Sequence, residues 1–261
     1  MKTILVTGCR GGMGRDAAEV LARLGHKVIA TVHGAESVPM LQRYSDERGL
    51  GFEVFKLDIT LPEDRQKIAG RNIDVLVNNA AMGESGSLAD VPLERLRANF
   101  ETNVFSTIAL SQLALGEMLT RGSGRVVFIS SLAGRAVAPF MGPYCMTKFA
   151  LSAAVDVLRQ ELSVIAKNVH VAVVEPGAYA TGFNQRTLGT KFQWMNESSP
   201  FWKVLPEVKE REDKTFAFAE RKTNVAIVRK IVRAVEDEKP KPRYTAPWWQ
   251  AWYVWWVRAM K

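Results

Sequence analysis

Two cysteines, Cys9 and Cys145, are all the sequence has, and they stand in no metal-binding or redox spacing. That argues against a disulfide-stapled or zinc-ribbon fold and makes a reducing, cytoplasmic setting the expected one. No stretch reaches the ~20 consecutive apolar residues that a membrane-spanning helix requires. The opening Met1-Lys2-Thr3-Ile4-Leu5-Val6 is too short for the apolar core of a signal peptide and runs straight toward glycines. Internal repeats and low-complexity linkers are missing too, so no domain boundary is expected before residue 180. The net charge is +8, yet no basic run tracks a single helix. Scattered basic residues without a binding motif do not suggest nucleic acid. They read as solvated surface, or as attraction to an anionic ligand or an anionic membrane surface.

What the chain does have is apolar residues, 47% of 261, enough to fill one core. Short runs rich in Val and Ile occupy Thr3–Thr7, Lys27–Val32, Phe52–Leu57, Asp74–Asn78, Arg125–Ser130 and His170–Glu175. They are nearly continuous in apolar side chains, as strands covered on both faces must be. Helical patterns alternate with them near 13–24, 36–48, 62–70, 92–119 and 146–167, and another is expected near 217–236. The alternation predicts an α/β fold: a Rossmann-like doubly wound parallel sheet of about seven strands, helices on both faces, in a single domain. That domain is expected over 1–246. The stretch 181–215 lacks clear periodicity and is expected to be a lid or binding loop, or to be disordered. A Trp-rich helix is expected over 247–261.

Directly after the first run comes Thr7-Gly8-Cys9-Arg10-Gly11-Gly12-Met13-Gly14, then a helix. A strand that turns sharply into a helix while its backbone approaches a pyrophosphate needs glycine at the points of closest approach. The helix N-terminus then offers free N–H groups and its positive end to phosphate. Downstream, Tyr144-Cys145-Met146-Thr147-Lys148 opens a helical segment. Residues i and i+4 share a helix face, which puts the Lys148 ammonium on the side of the Tyr144 phenol. A phenol near its reference pKa of ~10 is a weak base at neutrality, and a nearby cation favours its phenolate. The pair therefore suits proton transfer on a hydroxyl or carbonyl. Ser130-Ser131 ends a strand, where ligands bind in open α/β sheets, and a hydroxyl there can hold a reacting oxygen.

The spacing Thr-Gly-x3-Gly-x-Gly, with Ser131, Tyr144 and Lys148, resembles the short-chain dehydrogenase/reductase family over residues 2 to about 181. The resemblance implies an NAD(P)-dependent oxidoreductase, moving a hydride between nicotinamide and an alcohol or carbonyl without a metal. It assigns Tyr144 as the proton carrier, Ser131 as the group polarising the oxygen, and Lys148 as the holder of the nicotinamide ribose. Ser130 is then a structural neighbour. Asn103 matches the fourth catalytic residue, which holds a water in a relay with the lysine. Gly8, Arg10, Gly12, Met13 and Gly14 are implied contacts of the cofactor. Asn78-Asn79-Ala80-Ala81 resembles the family's Asn-Asn-Ala-Gly, with Ala81 in place of glycine, and brings Asn79 and Ala80 to the cofactor. Asp58 matches the acceptor of the adenine amine, with the Ile59 backbone beside it. Pro176, Gly177 and Thr181 match the loop that approaches the nicotinamide.

The end of the second strand reads Val32-His33-Gly34, so the acidic residue that would bind ribose hydroxyls and repel a 2′-phosphate is not there. His33 and Arg10 favour NADP over NAD. Aromatics in 181–215 (Phe183, Phe192, Trp194, Phe201, Trp202) suggest an apolar substrate of steroid, retinoid, terpenoid or fatty type, or else core packing. Residues 247–261 carry five of the seven tryptophans. Trp248, Trp252, Trp255 and Ala259 would share one helix face; Trp249, Tyr253, Trp256 and Met260 would share the next. Arg258 and Lys261 follow. Such a helix is either a peripheral membrane contact or a surface buried against the fold or a second subunit; relatives of this kind form homodimers and homotetramers. A non-catalytic NADP-binding regulatory or scaffold protein on the same fold is the competing reading. Its discriminating sign would be loss of one of Asn103, Ser131, Tyr144 or Lys148, and all four are present.

Overall fold

The computed structural model describes residues 1–260. The Val- and Ile-rich runs become β1 (Thr3–Val6), β2 (Lys27–Val32), β3 (Glu53–Lys56), β4 (Val75–Asn78), β5 (Gly124–Ile129) and β6 (Val169–Pro176). A seventh, β7 (Arg243–Ala246), completes one sheet in the order β3-β2-β1-β4-β5-β6-β7. Each neighbouring pair is parallel, with Val6 opposite Ala30 and Val77, for example. The order reverses between β1 and β4, and that switch point opens a crevice beyond the strands' carboxyl ends.

Between and after the strands lie α1 (Gly12–Arg23), α2 (Val38–Glu47), α3 (Pro62–Arg65), α4 (Leu93–Phe100), α5 (Thr107–Arg121), α6 (Gly142–Ile165), α7 (Phe183–Gly189), α8 (Leu205–Ala219), α9 (Val225–Glu236) and α10 (Trp248–Ala259). The pleat sends Ile4 and Val6 of β1 to one face and Leu5 to the other. The first face packs Ala17, Ala18 and Leu21 of α1 and Ile227 and Ile231 of α9. The second packs Leu110 and Met118 of α5 and Leu151 and Val155 of α6. Each Leu, Ile, Val or Met among these taken fully from water contributes roughly 1.5–3 kcal/mol. Arg125 at the start of β5 caps α9: its guanidinium donates to the carbonyls of Ala234, Val235 and Asp237.

Three local expectations need correction, and the seventh strand lies outside the six apolar runs. The stretch 181–215 is mostly helical, holding α7 and most of α8, because its apolar residues are only partly covered and leave no clean period. The helix expected near 217–236 is two: α8 ends at Ala219, Arg221 bridges to Tyr179, and α9 begins at Val225. The helix expected over 92–119 passes through a π-helical turn at Glu101–Ser106. And β7 comes from Arg-Tyr-Thr-Ala, an alternating four-residue edge strand with too short an apolar signal to stand out.

Candidate active site

The switch-point crevice is built by glycines and amides. Gly8 has φ +72° and lies so close to the next strand that a Cβ there would sit 2.9 Å from Ala80 Cα. Gly12, at φ +61°, faces the Thr181 side chain, and a Cβ on Gly14 would strike the Asn79 amide. Asn79 donates through its side-chain amide to the carbonyls of Thr7 (2.8 Å) and Gly8 (3.1 Å). The Thr7 hydroxyl accepts from the N–H groups of Asn79 and Ala80 at 3.0 and 2.9 Å. These bonds tie the end of β1 to the end of β4 and bring the turn, Asn79, Ala80 and Thr181 together. α1 has Gly11 as its N-cap, with no side-chain cap and no acidic residue in its first turn. Its N–H groups and positive end are thus left for a ligand's phosphates, and bare backbone lines the approach. The cradle fits a dinucleotide. Met13 packs partly against the core.

At the adenosine end, the Asp58 carboxylate accepts from the N–H and hydroxyl of Thr60 at 2.9 and 2.7 Å. His33 is exposed, with Nδ1 3.5 Å from Asp58 Oδ2. Ile59 is buried, and its carbonyl accepts from Arg65 at 2.7 Å, so its N–H is the part left for a base. Arg10 points toward a hollow between α1 and α2 that Arg15, Arg43 and Tyr44 also line. Arg15 stacks on the Tyr44 ring at 4.4 Å.

Beyond β5 and β6 the polar side chains converge. Ser131 follows β5; its hydroxyl accepts from Ala133 N–H at 3.1 Å and donates to the Pro176 carbonyl at 3.4 Å. α6 starts at Gly142, with Pro143 in its first turn, so Tyr144 lies inside the helix rather than just before it. One turn on, the Lys148 ammonium lies 5.6 Å from the Tyr144 ring centroid and donates to the Ile129 carbonyl at 3.0 Å. Gly134 allows the approach, since a Cβ there would sit 2.6 Å from the Lys148 carbonyl oxygen. Ser130 faces inward, sharing a 2.9 Å hydrogen bond with Ser152, as expected of a structural neighbour.

Electrostatically, the pair departs from the expectation. Tyr144 is 8% exposed and Lys148 2%. Burial pushes the Tyr144 phenol well above its ordinary value, and the neighbouring Ser131 hydroxyl pulls the other way. Burial also lowers Lys148 to about 8. Desolvation penalises both charged forms, and the ammonium's hydrogen bond goes to a carbonyl, so the cation does not drive the phenol to phenolate. Tyr144 near neutrality is a neutral donor.

Asn103 sits in the π-helical turn, 1% exposed. Its amide oxygen accepts from Met82 N–H at 2.8 Å; its NH2 donates to the Met82 carbonyl at 2.7 Å and to Thr147 at 3.0 Å. On α6 it therefore bonds Thr147, one residue before Lys148, and not Lys148 itself. π-turns inside helices gather at functional sites because they re-aim a side chain.

Of the aromatics in 181–215, Phe183 packs on Tyr144, ring centroids 5.6 Å apart. Trp194 lies over Gly86, and Phe201 meets Phe140 edge-on at 5.6 Å. Phe192 and Trp202 are exposed. One participant was not foreseen. Gln250 of α10 reaches the loop after β6: its oxygen accepts from Ala178 N–H at 2.9 Å, its NH2 donates to the Ala219 carbonyl at 2.7 Å, and it fills the space beside Gly177. A single carboxamide amid tryptophans was the available signal.

The chain resembles known proteins along most of its length. A family model described as short chain dehydrogenase matches residues 2–191. The oxidoreductase YbbO of Escherichia coli is 30% identical over 250 residues, covering 93% of this chain and 84% of YbbO. The NADPH-dependent 3-dehydrocapnine reductase of Ornithobacterium rhinotracheale is 32% identical over 194 residues, 69% of this chain and 66% of that protein. Bovine retinol dehydrogenase 8 is 31% identical over 195 residues, 72% of this chain and 62% of that enzyme. The crystal structure of a short-chain dehydrogenase from Streptomyces avermitilis superposes with a TM-score of 0.79 at 27% identity, covering 99% of this chain and 94% of that one.

Proposed function

The chain belongs to the short chain dehydrogenase family, and on that premise we propose that this oxidoreductase reduces an apolar ketone to an alcohol, with NADPH as the hydride source. The observation that carries the reading is the convergence of Ser131, Tyr144 and Lys148 beside a glycine cradle suited to a dinucleotide. The bound nicotinamide supplies the hydride. Tyr144, a neutral phenol, donates its proton to the substrate oxygen as charge develops there. Ser131 hydrogen-bonds the same oxygen and holds it against the phenol. Lys148, positively charged below about pH 8, would hold the ribose hydroxyls of the bound cofactor. Asn103 fixes Met82 and Thr147 and so keeps the first turns of α6 in place; with a water it links Lys148 to solvent.

Reduction is favoured because burial keeps the phenol protonated, the form a carbonyl needs. NADPH is favoured because no acid ends β2 and because Arg10, with Arg15 and Arg43 in the adjoining hollow, offers guanidinium groups to a 2′-phosphate. An apolar substrate is favoured by Phe183 against Tyr144 and by the likeness to a retinol dehydrogenase. Exposed Phe105, Met146 and Phe149 on the π-turn and α6 suit assembly of two or four copies. The test is a panel of apolar and polar ketones with NADPH and NADH, followed at the reduced-nicotinamide absorbance. Turnover of apolar ketones with NADPH, about ten-fold or more above NADH and reduced to parity by Arg10→Ala, is the expected result. Equal use of both cofactors by the wild type contradicts the NADPH assignment, and turnover confined to polar ketones contradicts the substrate class.

A further inference from the structure

α10 is an inside-out helix. Its one carboxamide, Gln250, faces the protein together with Val254, while Trp248, Trp252, Tyr253, Trp255 and Trp256 all face outward and are exposed. Core-packed amphipathic helices do the reverse. The aromatic surface continues past the helix: Phe218 at the end of α8 is 83% exposed and meets Trp249 edge-on at 6.0 Å. Contiguous exposed apolar surface of this kind marks an interaction site.

Charge and shape select the occupant. α10 itself carries no acidic residue, and Arg258 stands in its last turn. Arg221 and Lys222 follow α8. A second copy docked through α10 would bring Arg258 and the neighbouring Arg221 and Lys222 against their like charges, whereas an anionic surface complements them. Tryptophan rings prefer the boundary between headgroups and acyl chains. At about 1.5 Å per residue the 12 residues of α10 extend only ~18 Å, too short to span a bilayer but suited to lying along it. Among the described residues no helix is long and apolar enough to cross a membrane.

We propose that the outer face of α10, with Phe218, is a docking surface for an anionic lipid bilayer. The surface is wired to the site. The Gln250 carboxamide that seats α10 holds Ala178, in the loop bearing Gly177 and Thr181, and Ala219, at the end of α8. A docked bilayer lies next to those two segments, and an apolar substrate has a short path from acyl chains to the cleft. That last step rests on the proposed reaction; the docking does not.

The full chain is sedimented with phosphatidylcholine vesicles, with and without phosphatidylglycerol, and its tryptophan emission is recorded. The wild type is expected to bind the anionic vesicles, with blue-shifted emission, and to be released by high salt. The variant Trp252→Ser/Trp255→Ser/Trp256→Ser removes only exposed rings, and its partitioning is expected to fall about ten-fold or more. Its melting temperature and NADPH binding should be unchanged, which keeps a failure of docking apart from a failure of the reductase assignment. No binding by the wild type, equal binding by the variant, or a variant whose only change is a smaller particle mass would overturn the proposal, the last pointing to a second copy.

Discussion

α9 and α10 are both 12 residues long and both apolar, and they are built in opposite senses. α9 sets Ile227, Val228, Ile231, Ala234 and Val235 against the sheet and turns its arginines and lysine outward. α10 buries Gln250 and Val254 and turns its aromatics outward. One helix is held by area removed from water, the other by two hydrogen bonds to backbone and a small apolar contact. Apolar content therefore does not tell which face of a helix meets the core. α9 belongs to the rigid frame of the cleft, and α10 to its rim.

The contrast can be broken at its strong end first. Ile231→Ala leaves a cavity between α9 and the sheet and should cost about 2–5 kcal/mol in urea unfolding, while Trp252→Ser on α10 should stay within about 0.5 kcal/mol of wild type. Similar losses at the two positions would erase the distinction. α6 lies between the cases, since it buries a charge. The folded-state pKa of Lys148, about 8, lies below its ordinary 10.5. Between those values the unfolded chain binds a proton that the folded chain lacks, so this residue makes stability rise with pH. The wild type should gain on Lys148→Met by about 1.4 kcal/mol per pH unit across pH 8 to 10, read from unfolding curves. A constant difference would mean that Lys148 is not desolvated. At the weak end, Gln250→Leu removes both hydrogen bonds that seat α10. It should cost about 1 kcal/mol and raise KM more than it lowers kcat, because the loop at Ala178 loosens while Tyr144 is untouched. An effect confined to kcat would place Gln250 elsewhere in the account.

Legibility in the sequence followed how local each signal was. The glycine turn, the strands' apolar runs and the four-residue spacing of Tyr144 and Lys148 are contained in short windows, and the structure keeps all three. Seven parallel strands in one sheet follow from that alternation, although β7 carried only four alternating residues. α7 and α8 were hidden because their apolar residues are shared between core and surface. The i, i+4 proximity of Lys148 points the Tyr144 shift downward because it is a local signal, whereas the burial that raises it is a property of the whole fold. Gln250 could not be placed from the tail alone: its partners, Ala178 and Ala219, are contributed by segments 72 and 31 residues away.

Steady-state reduction of a ketone substrate by Tyr144→Phe, alongside NADPH titration of the same variant, bears most directly on the chemistry assigned to this cleft. Removing the phenolic proton should cut kcat by about 10²–10⁴-fold while NADPH affinity stays at the wild-type value. Turnover close to wild type, with the dinucleotide still bound, would mean that another group protonates the substrate oxygen.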